Sequence, residues 1–181
     1  MDIFKVDLDK KKPNDHSDIY LGMGCFWGAE RKFWNLSGLY TTAVGYAGGK
    51  TKNPNYESVC TGETGHAEIV RVIYNPNQNS LNDIMKIFWE SHDPTQLNRQ
   101  GNDIGSQYRS IILTTNQSEL EVLRISKKKF QIELDKNNLS TIRTEIKLLD
   151  TFYLAEDYHQ KYLHKNPNGY CGLQGTGVNY C

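Results

Sequence analysis

No C-x-x-C pair, no long apolar run and no excess of either charge occurs in this sequence. Each absence removes a class of function. Zinc sites usually show paired ligands at short spacing. Here the cysteines stand apart at 25, 60, 171 and 181, and His159 and His164 have no cysteine partner at such spacing. No metal and no cofactor are expected. No stretch approaches the roughly 20 apolar residues that cross a bilayer, so no membrane segment is expected either. Met1 to Asp18 is polar and mixed in charge, without the apolar centre of a signal peptide. Twenty-one basic side chains balance 21 acidic ones, so no general field draws in nucleic acid or anionic lipid. Lys127-Lys128-Lys129 reads as a solvated helix face. The expectation is a soluble, cytoplasmic chain, where a structural disulfide framework is not favoured and the thiols are left for chemistry.

Repeats, linkers and shifts of composition are also missing. The 181 residues read as one domain with a sizeable core. Residues 1–17 form an N-terminal extension and 169–181 a glycine-rich, coil-like tail, and a monomer is the default. Asp18 to Met23 reads as a strand, Cys25 to Asn35 as a helix, Leu39 to Tyr46 and Ala67 to Tyr74 as strands. Ser80 with Asp83 is a capping-box signal ahead of Leu81, Ile84, Met85, Phe88 and Trp89, which share one helical face. An extended polar loop from His92 to Gln107 leads to a strand over Arg109 to Thr114. A charged helix (Gln117 to Lys136), a strand (Glu145 to Leu149) and a short helix (Ala155 to Leu163) follow. The first six elements run strand, helix, strand, strand, helix, strand. That is the split βαβ order of a ferredoxin-like α+β two-layer sandwich.

What is present centres on Gly24-Cys25-Phe26-Trp27-Gly28. A thiol at the first turn of a helix faces unpaired backbone N–H groups and the positive end of the helix dipole. Such placement lowers a cysteine pKa from about 8.5 to roughly 3.5–7.5, so a thiolate is expected. The flanking glycines permit a sharp turn, and Phe26 with Trp27 suggests a small apolar pocket. By position alone, Cys25 could equally be a small buried hydrophobe. The glycines at 22, 24 and 28 imitate a dinucleotide fingerprint, but Trp27 occupies its third glycine position and the acidic partner is absent. Ser91-His92-Asp93 is no triad either, because neighbouring residues point apart; Ser91 and His92 more simply end a helix before Pro94.

The strand Ala67 to Tyr74 carries Glu68 on the face of Val70 and Val72. On a core face that carboxyl is desolvated and its pKa raised, as a general acid requires. An exposed carboxylate paired with Arg71 is the simpler alternative. Tyr56 and Tyr108 are loop phenols beside these elements, and Asp103 is a loop carboxylate of the kind that caps turns.

Longer strings tie these positions together. Gly24 to Gly28, Gly45-Tyr46-Ala47-Gly48-Gly49, Asn53-Pro54-Asn55-Tyr56, Thr64-Gly65-His66-Ala67-Glu68 and Phe88-Trp89-Glu90-Ser91-His92-Asp93-Pro94 come first. Arg99 to Asp103, Gly105 to Ser110, Ala155 to Gln160 and Tyr162 to Pro167 follow. In this order the chain resembles the peptide methionine sulfoxide reductase A family, over about Ile19 to Leu113 and Phe152 to Cys171. That family repairs one sulfoxide epimer of methionine, the S epimer, in proteins and as the free amino acid.

The resemblance implies a set of roles. Cys25 attacks the sulfoxide sulfur, Phe26 and Trp27 hold the terminal methyl, and Glu68 protonates the oxygen. Tyr56 and Tyr108 donate hydrogen bonds to that oxygen, with Asp103 secondary beside the pocket. Cys25 is left as a sulfenic acid, Cys171 resolves it as a disulfide, and Cys181 takes over that disulfide before an external thiol, such as thioredoxin at about −270 mV, reduces it. Cys60 is implied to be structural. A thiol peroxidase and a non-enzymatic sensor of oxidised methionine are the competing classes.

Overall fold

β-Branched and aromatic residues concentrate in three stretches of the first half of the chain, and each becomes a strand of one sheet. The computed structural model describes residues 2–181. The strands are β1 (Ser17–Gly22), β2 (Leu39–Ala47), β3 (Ala67–Tyr74), β4 (Arg99–Gln100), β5 (Asp103–Ile104), β6 (Ile111–Thr114), β7 (Glu145–Leu148) and β8 (Tyr153–Leu154). The helices are α1 (Phe26–Phe33), α2 (Tyr56–Cys60), α3 (Leu81–Ser91), α4 (Glu119–Lys136) and α5 (Tyr162–Lys165).

Six strands form one sheet in the order β7-β6-β1-β3-β2-β8, while β4 and β5 make a separate short hairpin. The inner four, β6-β1-β3-β2, are antiparallel to one another and carry the split βαβ order expected from the sequence. β7 extends one edge in parallel to β6, and β8 extends the other antiparallel to β2. Leu21 sits between Val70 of β3 and Ile112 of β6, and Tyr46 lies opposite Glu68. One sheet face buries Leu21, Val70 and Val72 against Phe26 and Phe33 of α1 and Phe88 and Trp89 of α3. The other face holds a smaller cluster, Tyr20, Ile69, Ile111 and Leu113, covered by Leu149 and Phe152.

The capping box forms: the Ser80 hydroxyl accepts the Asp83 N–H at 3.2 Å, and the Asp83 carboxylate accepts the Ser80 N–H at 2.7 Å. Helix α3 ends at Ser91, and His92 is buried as a structural ring between the Phe88 carbonyl (2.7 Å) and the Ser110 hydroxyl (2.8 Å). None of the described helices is long and apolar enough to cross a membrane.

One expected element is corrected. Ala155 to Leu163 is not a helix but a 3₁₀ turn over Asp157–His159, then an extended Gln160, then α5. Tertiary bonds override the local pattern. The Gln160 side chain accepts the Val44 N–H (2.8 Å) and donates to the Val44 and Ala155 carbonyls (2.8 and 2.9 Å). Lys161 then takes a left-handed backbone at φ 54°, which delivers its N–H to the buried Glu30 carboxylate at 3.0 Å. The Lys161 ammonium pairs with the same carboxylate at 3.1 Å. This segment is thereby fastened to both α1 and β2, which matters for the site below.

Candidate active site

The chain leaves β1 and turns at Gly24, whose φ of 100° suits glycine and whose missing Cβ makes room for the Gln100 side chain. Cys25 follows as the N-cap of α1, with its carbonyl accepting the Ala29 N–H at 3.1 Å and its side chain capping nothing. Beside it lies Glu68, only 3% exposed, whose carboxyl accepts the Phe26 N–H at 2.9 Å. The alternation of β3 therefore points Glu68 into the helix-covered face, at the N-terminus of α1. Burial pushes its pKa up to about 8; the Phe26 N–H opposes this and the charge of Asp103 adds to it. The group is a protonated acid near neutral pH.

The expected thiolate is corrected. Burial is the largest influence on Cys25 and pushes its thiol up to about 12, helped by the charges of Glu68 and Asp103. The Trp27 and Gly28 N–H groups favour the thiolate as the helix-terminus argument requires, but they are outweighed. Desolvation penalises the charged form more than two backbone donors reward it. The resting site thus holds a thiol facing a carboxylic acid.

Tyr56 opens α2, whose first turn is set by an Asn55–Ser58 capping box and by Glu156, which accepts the Tyr56 N–H at 3.1 Å. Glu156 also accepts the Tyr46 hydroxyl at 2.9 Å. Tyr108 ends the 3₁₀ turn Ser106–Tyr108. Burial raises both phenols above the ordinary range, and both feel the charges of Glu68 and Cys25. They stay protonated, and so remain donors.

One small cavity is lined by Cys25, Gly28, Gln100, Asp103, Cys171 and Leu173. Gly28 is essential to this closeness, because a Cβ there would lie 2.9 Å from the Cys171 sulfur. Asp103 lies within 3.4 Å of the Tyr170 hydroxyl, which holds the tail beside the cavity. Phe26 is 1% exposed and packs between Tyr46 and His159. The Trp27 indole is partly exposed, stacks on Tyr162 at 3.8 Å and 12°, and donates its N–H to His159 Nδ1 at 3.0 Å.

Cys181 is not brought to this cavity. Its neighbour Tyr180 is 5% exposed, donates its N–H to Glu90 at 2.8 Å and its hydroxyl to Asn82 at 2.7 Å. Those bonds fasten the tail end to α3, with Cys181 exposed there and Cys60 exposed on α2. Sequence reasoning weighed His159 only as a zinc ligand and did not single out Gln100, Glu156, Tyr162 or Leu173. Their only signal was membership in the strings that carry the resemblance, and Leu173 lacked even that.

Comparison with known proteins identifies the family. The family described as Peptide methionine sulfoxide reductase matches residues 17–178. A protein named Peptide methionine sulfoxide reductase MsrA from Photobacterium profundum is 60% identical over 172 residues, 94% of this chain and 82% of that protein. Among solved structures, methionine sulfoxide reductase A of Corynebacterium diphtheriae has a TM-score of 0.85 at 45% identity, covering 88% of this chain and 79% of that one. Mxr1 from Saccharomyces cerevisiae, solved in complex with Trx2, has a TM-score of 0.57 at 25% identity, covering 84% and 88%. This chain belongs to the peptide methionine sulfoxide reductase family and is an oxidoreductase.

Proposed function

We propose that this chain reduces methionine (S)-sulfoxide, in proteins and free, through a sulfenic acid on Cys25. The observation that carries the reading is a protonated Glu68 at the same helix terminus as Cys25, with Cys171 on the wall of the same cavity. The substrate's S–O bond places a partial positive charge on sulfur, which faces Cys25 and favours its thiolate. Oxide is a poor leaving group, so the oxygen takes a proton from Glu68 while Tyr56 and Tyr108 donate to it. Phe26 and Trp27 hold the methyl. Two electrons pass from the Cys25 sulfur to the sulfoxide: the substrate's S–O bond breaks, the thioether leaves and the oxygen remains on Cys25 as a sulfenic acid. The proton lost by the thiol replaces the one that Glu68 gave.

Cys171 then attacks Cys25, releasing water and forming a disulfide. Cys181 exchanges into it, and a dithiol of the thioredoxin class returns the enzyme to its reduced form. The thioredoxin complex of the yeast relative supports that donor. Exchange requires Tyr180 to leave its bonds to Glu90 and Asn82. We read residues 1–181 as one monomeric catalytic domain with 169–181 as its redox-active tail, working in the cytoplasm.

Product chromatography on the separated epimers, with dithiothreitol as reductant, tests the reading. Methionine is expected from the S epimer alone; methionine from the R epimer, or from neither, removes it. Cys171→Ser is expected to release one methionine per enzyme and then stall with thioredoxin. Continued cycling would show that Cys181 resolves Cys25 directly.

A further inference from the structure

Strand β1 leaves the sheet before its neighbours do. It pairs with β3 as far as Leu21, opposite Val70, and with β6 as far as Gly22, opposite Ile111. Beyond that point β3 still carries Ile69, Glu68 and Ala67, and the approach to β6 carries Tyr108. With β1 gone, the acid and this phenol stand on chains two strand spacings apart, about 10 Å at about 4.8 Å each. Arg109 spans that gap, with its side chain only 11% exposed. The guanidinium donates to the Ser106 carbonyl at 2.9 Å, in the turn that ends with Tyr108, and to the Gly65 carbonyl at 2.9 Å, at the entry to β3. Its Nε donates to Glu145 of β7 at 3.0 Å, and a longer contact of 3.4 Å reaches the Gly48 carbonyl just past β2. Gly48 leaves room for the group: its backbone takes φ 84°, and a Cβ there would lie 3.1 Å from the guanidinium.

Arginine presents its donors in a rigid planar fork and has no acceptor, so two carbonyls bound to one guanidinium are held at a fixed separation. Among the described residues, no other side-chain hydrogen bond joins the Ser106–Tyr108 turn to the segment from Gly65 to Glu68. Apart from the chain's own run into β6, the turn is tied elsewhere, through the Gly105 N–H to the Asn98 carbonyl at 2.9 Å. Glu68 and Tyr108 have to meet one substrate oxygen, and such convergence tolerates about 0.5 Å of misplacement. We propose that Arg109 is a positioning residue: its guanidinium fixes the Tyr108 turn against the entry of the Glu68 strand, so that phenol and acid converge on the sulfoxide oxygen. The inference rests on the reading of Tyr108 as a donor to that oxygen.

Because Tyr56 donates to the same oxygen, the test is run in Tyr56→Phe, where Tyr108 is the remaining phenol. Single-turnover methionine formation from the S epimer is measured with Arg109→Gln, with Tyr108→Phe and with both. Arg109→Gln should slow this step about tenfold, the loss typical of one hydrogen bond. Its half-saturating substrate concentration should not change, since the bond strengthens only as the S–O bond breaks. Once Tyr108 is replaced by Phe, Arg109→Gln should add nothing. Arg109→Lys keeps the charge but not the fork, and should lose the same rate in a protein that is still folded. Ring-¹³C tyrosine NMR of the resting enzyme gives a readout independent of turnover. The Tyr108 signal, assigned with Tyr108→Phe, should move in both Arg109 variants while that of Tyr180, docked on α3, stays. A rate loss that persists in full without Tyr108, a full rate with lysine, or an unmoved Tyr108 signal overturns the positioning role. An unchanged rate in the Tyr56→Phe, Tyr108→Phe double variant would instead locate the failure in the phenols as donors, with the Tyr108 signal still deciding what Arg109 holds.

Discussion

Cys25→Ser is expected to abolish methionine formation, by about 10⁴-fold or more as for loss of an enzyme's nucleophile, while leaving the fold intact. The second half of that expectation makes the first informative. Cys25 is the N-cap of α1 and its side chain makes no capping bond. Serine is among the favoured N-cap residues, and its oxygen is smaller than sulfur in a crowded cavity. The thermal midpoint should therefore hold or rise slightly. Lost activity then cannot be charged to unfolding. Serine cannot replace the nucleophile chemically, since a hydroxyl is a far weaker nucleophile than a thiol and its oxygen cannot take up the sulfoxide oxygen as sulfur does in a sulfenic acid. Single-turnover quench with methionine detection and a melting curve on the same preparation are sufficient. Turnover retained in the serine variant would refute the mechanism.

Glu68→Gln should slow the chemical step by about 10²- to 10⁴-fold, the usual contribution of a general acid, without slowing disulfide formation from a sulfenic acid generated by peroxide. Glutamine preserves the acceptor for the Phe26 N–H but has no proton to give at this reaction. The same substitution has a pH signature. The folded protein holds the Glu68 proton up to about pH 8, whereas the unfolded carboxyl loses it near 4.5. The stabilisation from that proton is fully present below pH 4.5 and is lost as pH rises through 8. Stability of the unsubstituted enzyme should decline across that interval, and Glu68→Gln should remove this component of the decline. Chemical-step rates should fall on the alkaline side of 8 in the parent enzyme only. Parallel stability curves for the two proteins, or an unchanged single-turnover rate, would remove Glu68 from its role.

Several parts of this molecule are written in short-range sequence. The Ser80–Asp83 capping box needs only two residues three apart, and it forms as spaced. Alternation in Ala67 to Tyr74 put Glu68 on the face of Val70 and Val72, because side chains of a strand alternate whatever lies around them; that this face is the helix-covered one was decided by the packing of α1 and α3. The strand and helix order sufficed for the split βαβ sandwich, since short antiparallel connections leave few topologies open. The motif strings carried the family.

Tertiary structure decided the rest, wherever the deciding partner lies far along the chain. Helix-terminus reasoning made Cys25 a thiolate, yet burial of the sulfur, with the charges of Glu68 and Asp103 adding to it, reverses that. Ala155 to Leu163 looked helical until Val44 and Glu30, supplied by other elements, claimed Gln160 and Lys161. The glycine-rich tail read as coil-like and has no regular secondary structure, while its course, with Tyr180 tied to α3 and Leu173 on the cavity, depends on distant partners. His159 was weighed in the sequence only as a metal ligand without a cysteine partner, for its partner Trp27 is 132 positions away. Period, caps and turn chemistry are local and survive in the sequence. Desolvation and long-range hydrogen bonds exist only after the chain has brought its distant parts together, and in this protein they set the protonation of the thiol and of its acid.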